Sequence, residues 1–129
     1  MDWRTEIIEL HGFFERYFIG TEDSIARFEN ALADDFSMVD PSGNDYDRAA
    51  VLDVVRDGHG HTSSLVITTS DHRLLATHEE TIVAQYIETH ELAERTNRRK
   101  TTAVFVADRT TPNGLAWLRV HETWLEADD

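Results

Sequence analysis

The chain has 129 residues, with 12 Lys and Arg against 25 Asp and Glu, for a formal net charge of −13. That length suits one domain over residues 1–129, and a hydrophobic content of 40% is enough for a packed core rather than global disorder. The charge argues against a nucleic-acid-binding surface, and the absence of cysteine excludes disulfides, thiolate metal sites and a cysteine nucleophile.

Trp3, Ile7, Leu10, Phe14, Tyr17 and Phe18 recur at spacings of three and four, which predicts an amphipathic helix over residues 3–18, with His11 on the same stripe and Gly20 as its stop. Thr21 or Asp23 can cap a second helix that buries Ile25, Phe28 and Leu32. Residues 35–40 read as a short strand ending at Pro41, and residues 41–45 as a turn-rich loop. Residues 47–57 form a third helix closed by Gly58, and residues 59–64 a loop. Four strands follow, over residues 65–77, 81–92, 99–109 and 115–126. Their turns fall at residues 78–80, at the polar stretch 93–98 and at Pro112-Asn113-Gly114. Helices first and strands after predict an α+β fold with the helices on one face of an antiparallel sheet.

The only basic cluster, Arg95, Arg98, Arg99 and Lys100, is too small for a phosphate-binding face. No segment approaches the roughly 20 apolar residues that span a bilayer, and the acidic, amphipathic start is not a signal peptide. The expectation is a cytoplasmic protein with no nucleic-acid or membrane partner. Lys100 is the only lysine, and thirteen of the anions are Asp. An acidic, lysine-poor chain fits either salt adaptation, in which salt screens the self-repulsion, or an ordinary acidic protein.

The stretch Asn113-Gly114 … Trp117 … His121 … Trp124 resembles the ending of the nuclear transport factor 2-like (cystatin-like cone) superfamily. Two branches are most similar: an uncharacterised one with a polyketide-cyclase-like fold, and the association domain of calcium/calmodulin-dependent kinase. Glu6-Ile7-Ile8, Asp35-Phe36 with Val39-Asp40-Pro41, Tyr86-Ile87-Glu88 and Thr102-Ala103-Val104-Phe105 carry the resemblance along the chain. It implies three N-terminal helices packed on a strongly curved, mostly antiparallel sheet, forming a cone with an open-ended pocket and pairing as a homodimer through the outer sheet face. The chain departs from the kinase domain at Glu88 and Ala103, where that domain places pocket arginines, and at Thr123, in place of its second terminal histidine.

Strand alternation puts Ala84, Tyr86, Glu88 and His90 on one face, and Val83, Gln85, Ile87 and Thr89 on the other. If the first set faces the cavity, it supplies a phenol, a carboxylate and an imidazole. Desolvation inside an apolar cone would raise the pKa of Glu88 and make it a general base. If the set faces out, the row is solvated or lies at a dimer interface. On the last strand Trp117, Arg119, His121 and Thr123 share one side, and Leu118, Val120, Glu122 and Trp124 the other. His121 is either catalytic or a satisfied structural imidazole. His11 is a core histidine or a pocket wall, and Asp40 is an acid/base or a turn-initiating carboxylate. The catalytic candidates are therefore Glu88, His90, His121 and Asp40, with His11, Tyr86, Glu122 and Trp124 as ligand-binding candidates.

His59 and His61 supply two metal ligands where a site needs three or four, so no metal is expected. No cofactor is expected either, since no glycine-rich phosphate loop, nucleophile elbow or dinucleotide fingerprint is present. Three functions fit these residues: a cone that binds an unidentified small molecule, an acid/base enzyme of isomerase, cyclase or dehydratase type, and an assembly module.

Overall fold

Asp2 opens the first helix, α1 (Trp3–Ile19), by accepting hydrogen bonds from the Thr5 amide and hydroxyl. Gly20 closes it at φ 89°, a left-handed conformation that an L side chain resists. The structure, a computed structural model, describes residues 2–125. After α1 come α2 (Ala26–Glu29), β1 (Leu32–Val39), β2 (Asp45–Asp47), α3 (Arg48–Asp57), β3 (Leu65–His78), β4 (Thr81–Leu92), β5 (Thr96–Ala107) and β6 (Leu115–Trp124). The fold is α+β, with the helices on a curled six-stranded sheet in the order β2-β1-β6-β5-β4-β3. Every pairing is antiparallel except β1 with β6.

Several boundaries differ from the sequence expectation. The second helix keeps only one turn, because residues 21–25 redirect the chain, and Leu32 belongs to β1 instead. The first strand therefore starts three residues earlier than the alternation from Asp35 suggested. The loop before the third helix contains the short strand β2, paired with Ser37, Met38 and Val39. β5 begins at Thr96, inside the stretch read as a polar turn, and β6 ends at Trp124. Residue 126, the predicted end of that strand, lies outside the described residues.

Curvature comes from irregular pairing. Register shifts break the β3–β4 ladder between Ser70 and Arg73 and between Leu74 and Ala76, with Asp71 at φ 53°. A third shift, between Val104 and Phe105, breaks β5–β6. Such bulges bend the bulged strand and sharpen its twist, which curls the long strands over the helices. The core fills the concave side. Phe105 is fully buried and packs edge-on against Trp117 at 4.5 Å between ring centroids.

A buried carboxylate pins the layers together. Glu6 on α1 accepts from Arg27 at 2.6 and 3.2 Å, from Trp117 Nε1 at 2.8 Å and from Asn113 Nδ2 at 3.0 Å. One side chain thus ties α1 to α2, to β6 and to the β5–β6 turn. A buried charge is tolerated because all these donors converge on it. No helix among the described residues is long and apolar enough to cross a membrane.

Candidate functional site

The open end of the curled sheet holds a cavity of about 380 Å³. Leu10, Phe14, Phe18, Phe28, Phe36 and Met38 make its walls largely apolar. Its polar groups collect where α1 crosses β4, β5 and β6.

His11 projects from α1 on the buried stripe, one helical turn beyond Ile7. Its Nδ1 donates to the Ile7 carbonyl oxygen at 2.7 Å, and its Nε2 lies 2.9 Å from Glu88 Oε1. A carbonyl oxygen only accepts, so Nδ1 carries a proton. An ionised Glu88 also only accepts, so Nε2 carries one as well. The pair is therefore an imidazolium–carboxylate pair, buried at 4% and 6% exposure. The pKa directions agree. Burial, the largest single influence, lowers His11, but the Glu88 charge, the hydrogen bonds to Glu88 and Ile7 and the Glu122 charge together outweigh it and raise the pKa. Burial alone would raise Glu88, but the charge and hydrogen bonds of His11 and His90 hold it well below the usual carboxylate range. The second Glu88 oxygen takes the His90 Nε2 contact at 2.5 Å. Tyr86 sits edge-on to His11, with its hydroxyl 3.4 Å from Nε2.

Glu88 was expected to be the carboxyl with the raised pKa, and the structure reverses that. Glu122, two strands along the sheet on β6, has no cation hydrogen-bonded to it. Thr101 Oγ1 donates at 3.4 Å, and Arg99 NH1 stays 3.8 Å away. Burial first, then the negative charge of Glu88, push Glu122 up to about 7 against the weaker pull of Arg99. Two neighbouring carboxyls thus have opposite ionisation, one permanently charged and one poised near neutrality.

The sequence candidates divide as follows. Tyr86, Glu88, His90, His11, Glu122 and Trp124 all line this cavity. Asp40 lies at the mouth, but its carboxylate accepts from the Ser42 and Asn44 amides, from Asn44 Nδ2 and from the Tyr46 hydroxyl. Slight burial pushes its pKa up and these bonds outweigh that, so Asp40 is a turn carboxylate held in the ionised form. His121 is exposed and takes no part in the cluster. The register shift in β6 is the physical reason for its placement. Simple alternation grouped Trp117 with His121, but the bulge puts Trp117 and Glu122 inside and leaves His121 outside, opposite Thr102.

Arg99 is the site residue that sequence reasoning missed. Its basic neighbours suggested a surface cluster, but β5 runs through them. Arg99 shares the inner side with the buried Thr101, Ala103 and Phe105, and strand parity counted back from Phe105 was the available signal. Its NH2 donates to Asn97 Oδ1 at 3.1 Å, and its guanidinium stacks 4.8 Å from the Trp124 ring. His59 and His61 are elsewhere, packed against Tyr17 and Phe18. No group of three or more His, Asp or Glu among the described residues is arranged to hold a metal ion.

No family model and no curated protein matches the chain. Solved structures do. An NTF2-like protein of unknown function from Pseudomonas aeruginosa is 27% identical, with a TM-score of 0.88 over 96% of this chain and 98% of that one. The CaMKII hub of S. rosetta is 15% identical, with a TM-score of 0.68 over 94% and 95%. ActVI-ORFA from Streptomyces coelicolor is 16% identical, with a TM-score of 0.64 over 96% and 98%.

The site makes stability depend on pH. The Glu122 pKa is raised in the folded state, so its contribution is fully present below the unfolded carboxyl value and is lost as pH rises through about 7. His11, also raised, works in the same direction, whereas Glu88 contributes until strong acid protonates it. Unfolding free energy should fall between about pH 5 and about pH 8, and Glu122→Gln should shrink that fall by about 2 kcal/mol. Denaturant titrations of both proteins at the two pH values check this; an unchanged fall would show that Glu122 is not the titrating group.

Proposed function

On the nuclear transport factor 2-like fold that the chain shares with these proteins, we propose that the cone binds a small molecule with an apolar body and one polar end. The observation that carries this reading is the cavity itself: largely apolar walls, with His11, Tyr86, Glu88, His90, Arg99 and Glu122 gathered in one cluster and Asp40 apart from them at the mouth. The aromatic walls take the body by burial of its surface. Tyr86, Glu122 and Arg99 are left to orient the polar end, since the His11–Glu88 pair is already satisfied.

A second reading, proton transfer on the bound molecule, is favoured by the contrast between the two carboxyls. Glu122, near 7, exchanges its proton at neutral pH. The fixed pair of His11 and Glu88 keeps that proton from being lost to a neighbouring anion and holds the local charge constant. Glu122 is then the acid/base group, and His11 and Glu88 are positioning residues. The phenol of Tyr86, raised well above its ordinary pKa by burial and by the two carboxyls, stays protonated as a donor.

The neutral dye phenylnaphthylamine tests both readings. Its fluorescence should rise on binding, and Met38→Trp, which fills the cavity wall, should weaken it at least about tenfold. Glu122→Gln should keep the dye affinity. Under the proton-transfer reading it lowers any turnover by about 10²-fold or more. Dye affinity indifferent to Met38→Trp would remove the binding reading.

We also propose that the outer sheet face pairs two copies of the chain, in a protein adapted to salt. Val83, Ile87, Val104 and Val106 stay only half-buried there, around the Gln85–Thr102 hydrogen bond. Such a face presents the same patch to a twofold mate. Light scattering in molar potassium chloride should report twice the 14.8 kDa chain mass, and Val104→Arg should return the monomer. The melting temperature should climb with salt as the net charge is screened. A monomer, or a flat salt response, would contradict the corresponding half of this proposal.

A further inference from the structure

The guanidinium of Arg99 is held in place but not used up. NH2 is tied to Asn97, and the flat face lies over Trp124. Nε is buried and has no hydrogen-bond acceptor among the described residues. NH1 stops 3.8 Å short of Glu122, too far for a hydrogen bond. A buried arginine donor without an acceptor costs stability, and the unbonded NH1 of an arginine that lines the cavity is a charged donor open to an oxyanion. Resting on the reading of the cavity as a binding site, we infer that the polar end of the ligand is a single carboxylate, taken by Arg99 with the uptake of one proton by Glu122.

The proton follows from the local charges. His11 from α1 and Glu88 from β4 cancel each other, and His90, also on β4, is bonded to Glu88. That leaves Arg99 from β5 facing Glu122 from β6. With Glu122 ionised, the two are balanced, and an added anion would bring an uncompensated charge into an apolar cavity. With Glu122 protonated, the end of the cavity carries one net positive charge, and the carboxyl turns from a repelling acceptor into a donor. A Glu122 pKa of about 7 in the unliganded protein makes that protonation easy near neutrality. Neutral ligands of the same shape gain neither the arginine nor the proton.

Naphthoate and its neutral analogue naphthamide distinguish the claims by titration calorimetry. Naphthoate should bind at least about tenfold tighter than naphthamide at about pH 6, and lose about tenfold between about pH 6 and about pH 8. At about pH 8 its enthalpy should vary with buffer ionisation, showing close to one proton taken up, and at about pH 6 hardly at all. Arg99→Gln should erase the preference for the carboxylate, so that naphthoate and naphthamide bind alike. Glu122→Gln, which keeps the shape, should retain naphthoate binding while removing both the pH dependence and the proton uptake. If naphthamide binds as tightly as naphthoate, the carboxylate assignment is wrong while the cavity remains a binding site. If neither binds, the binding reading itself fails, and this inference with it.

Discussion

A positive and a negative charge buried against each other, His11 on the helix and Glu88 on the sheet, set the terms for the rest of the cavity. Either charge alone in that position would be costly to keep out of water, and the pair is tolerated because each partner is further satisfied, His11 by the Ile7 carbonyl and Glu88 by His90. Once ionised, Glu88 is a fixed negative charge at one end of an apolar space. Its field adds to burial in keeping a proton on the neighbouring Glu122. The reactivity assigned to this site therefore lies two strands away from its strongest interaction.

Holding that pair together requires α1 to lie at a definite height and rotation over the sheet. Glu6, five residues before His11, supplies this through its bonds to Arg27, Asn113 and Trp117. The two buried acids thus divide the work along one helix face. Glu6 fixes the helix to the β5–β6 end of the sheet, and Glu88 receives the imidazole that the fixed helix presents. The bulges that curl β3 and β6 leave the space between them open. In this arrangement the apolar walls are made by α1, α2, β1 and α3, and the polar end by the long central strands.

The order of elements and the cone were legible because helix periodicity over residues 3–18 and β-branched runs after residue 65 are strong local signals. Glu88, Tyr86 and His90 could be grouped because strand parity in β4 is unbroken. His121 and Trp117 were grouped wrongly because a one-residue bulge inverts parity, and nothing in the local residue types of β6 announces it. Arg99 was missed because a cluster of basic residues resembles a solvated surface, although alternation splits it between the two faces of β5. The ionisation of the two glutamates was beyond the sequence altogether. Both are carboxyls on strands of the same sheet, and only the distances to His11, His90 and Arg99 separate a salt-bridged anion from a poised acid.

The most direct test is a carbon-13 NMR titration of the side-chain carboxyls of Glu88 and Glu122 in the unliganded protein. The account predicts a Glu122 step near 7 and no Glu88 step until pH is far below the usual carboxylate range. A Glu88 step near neutrality, or a Glu122 step at the value of an exposed carboxyl, would contradict it.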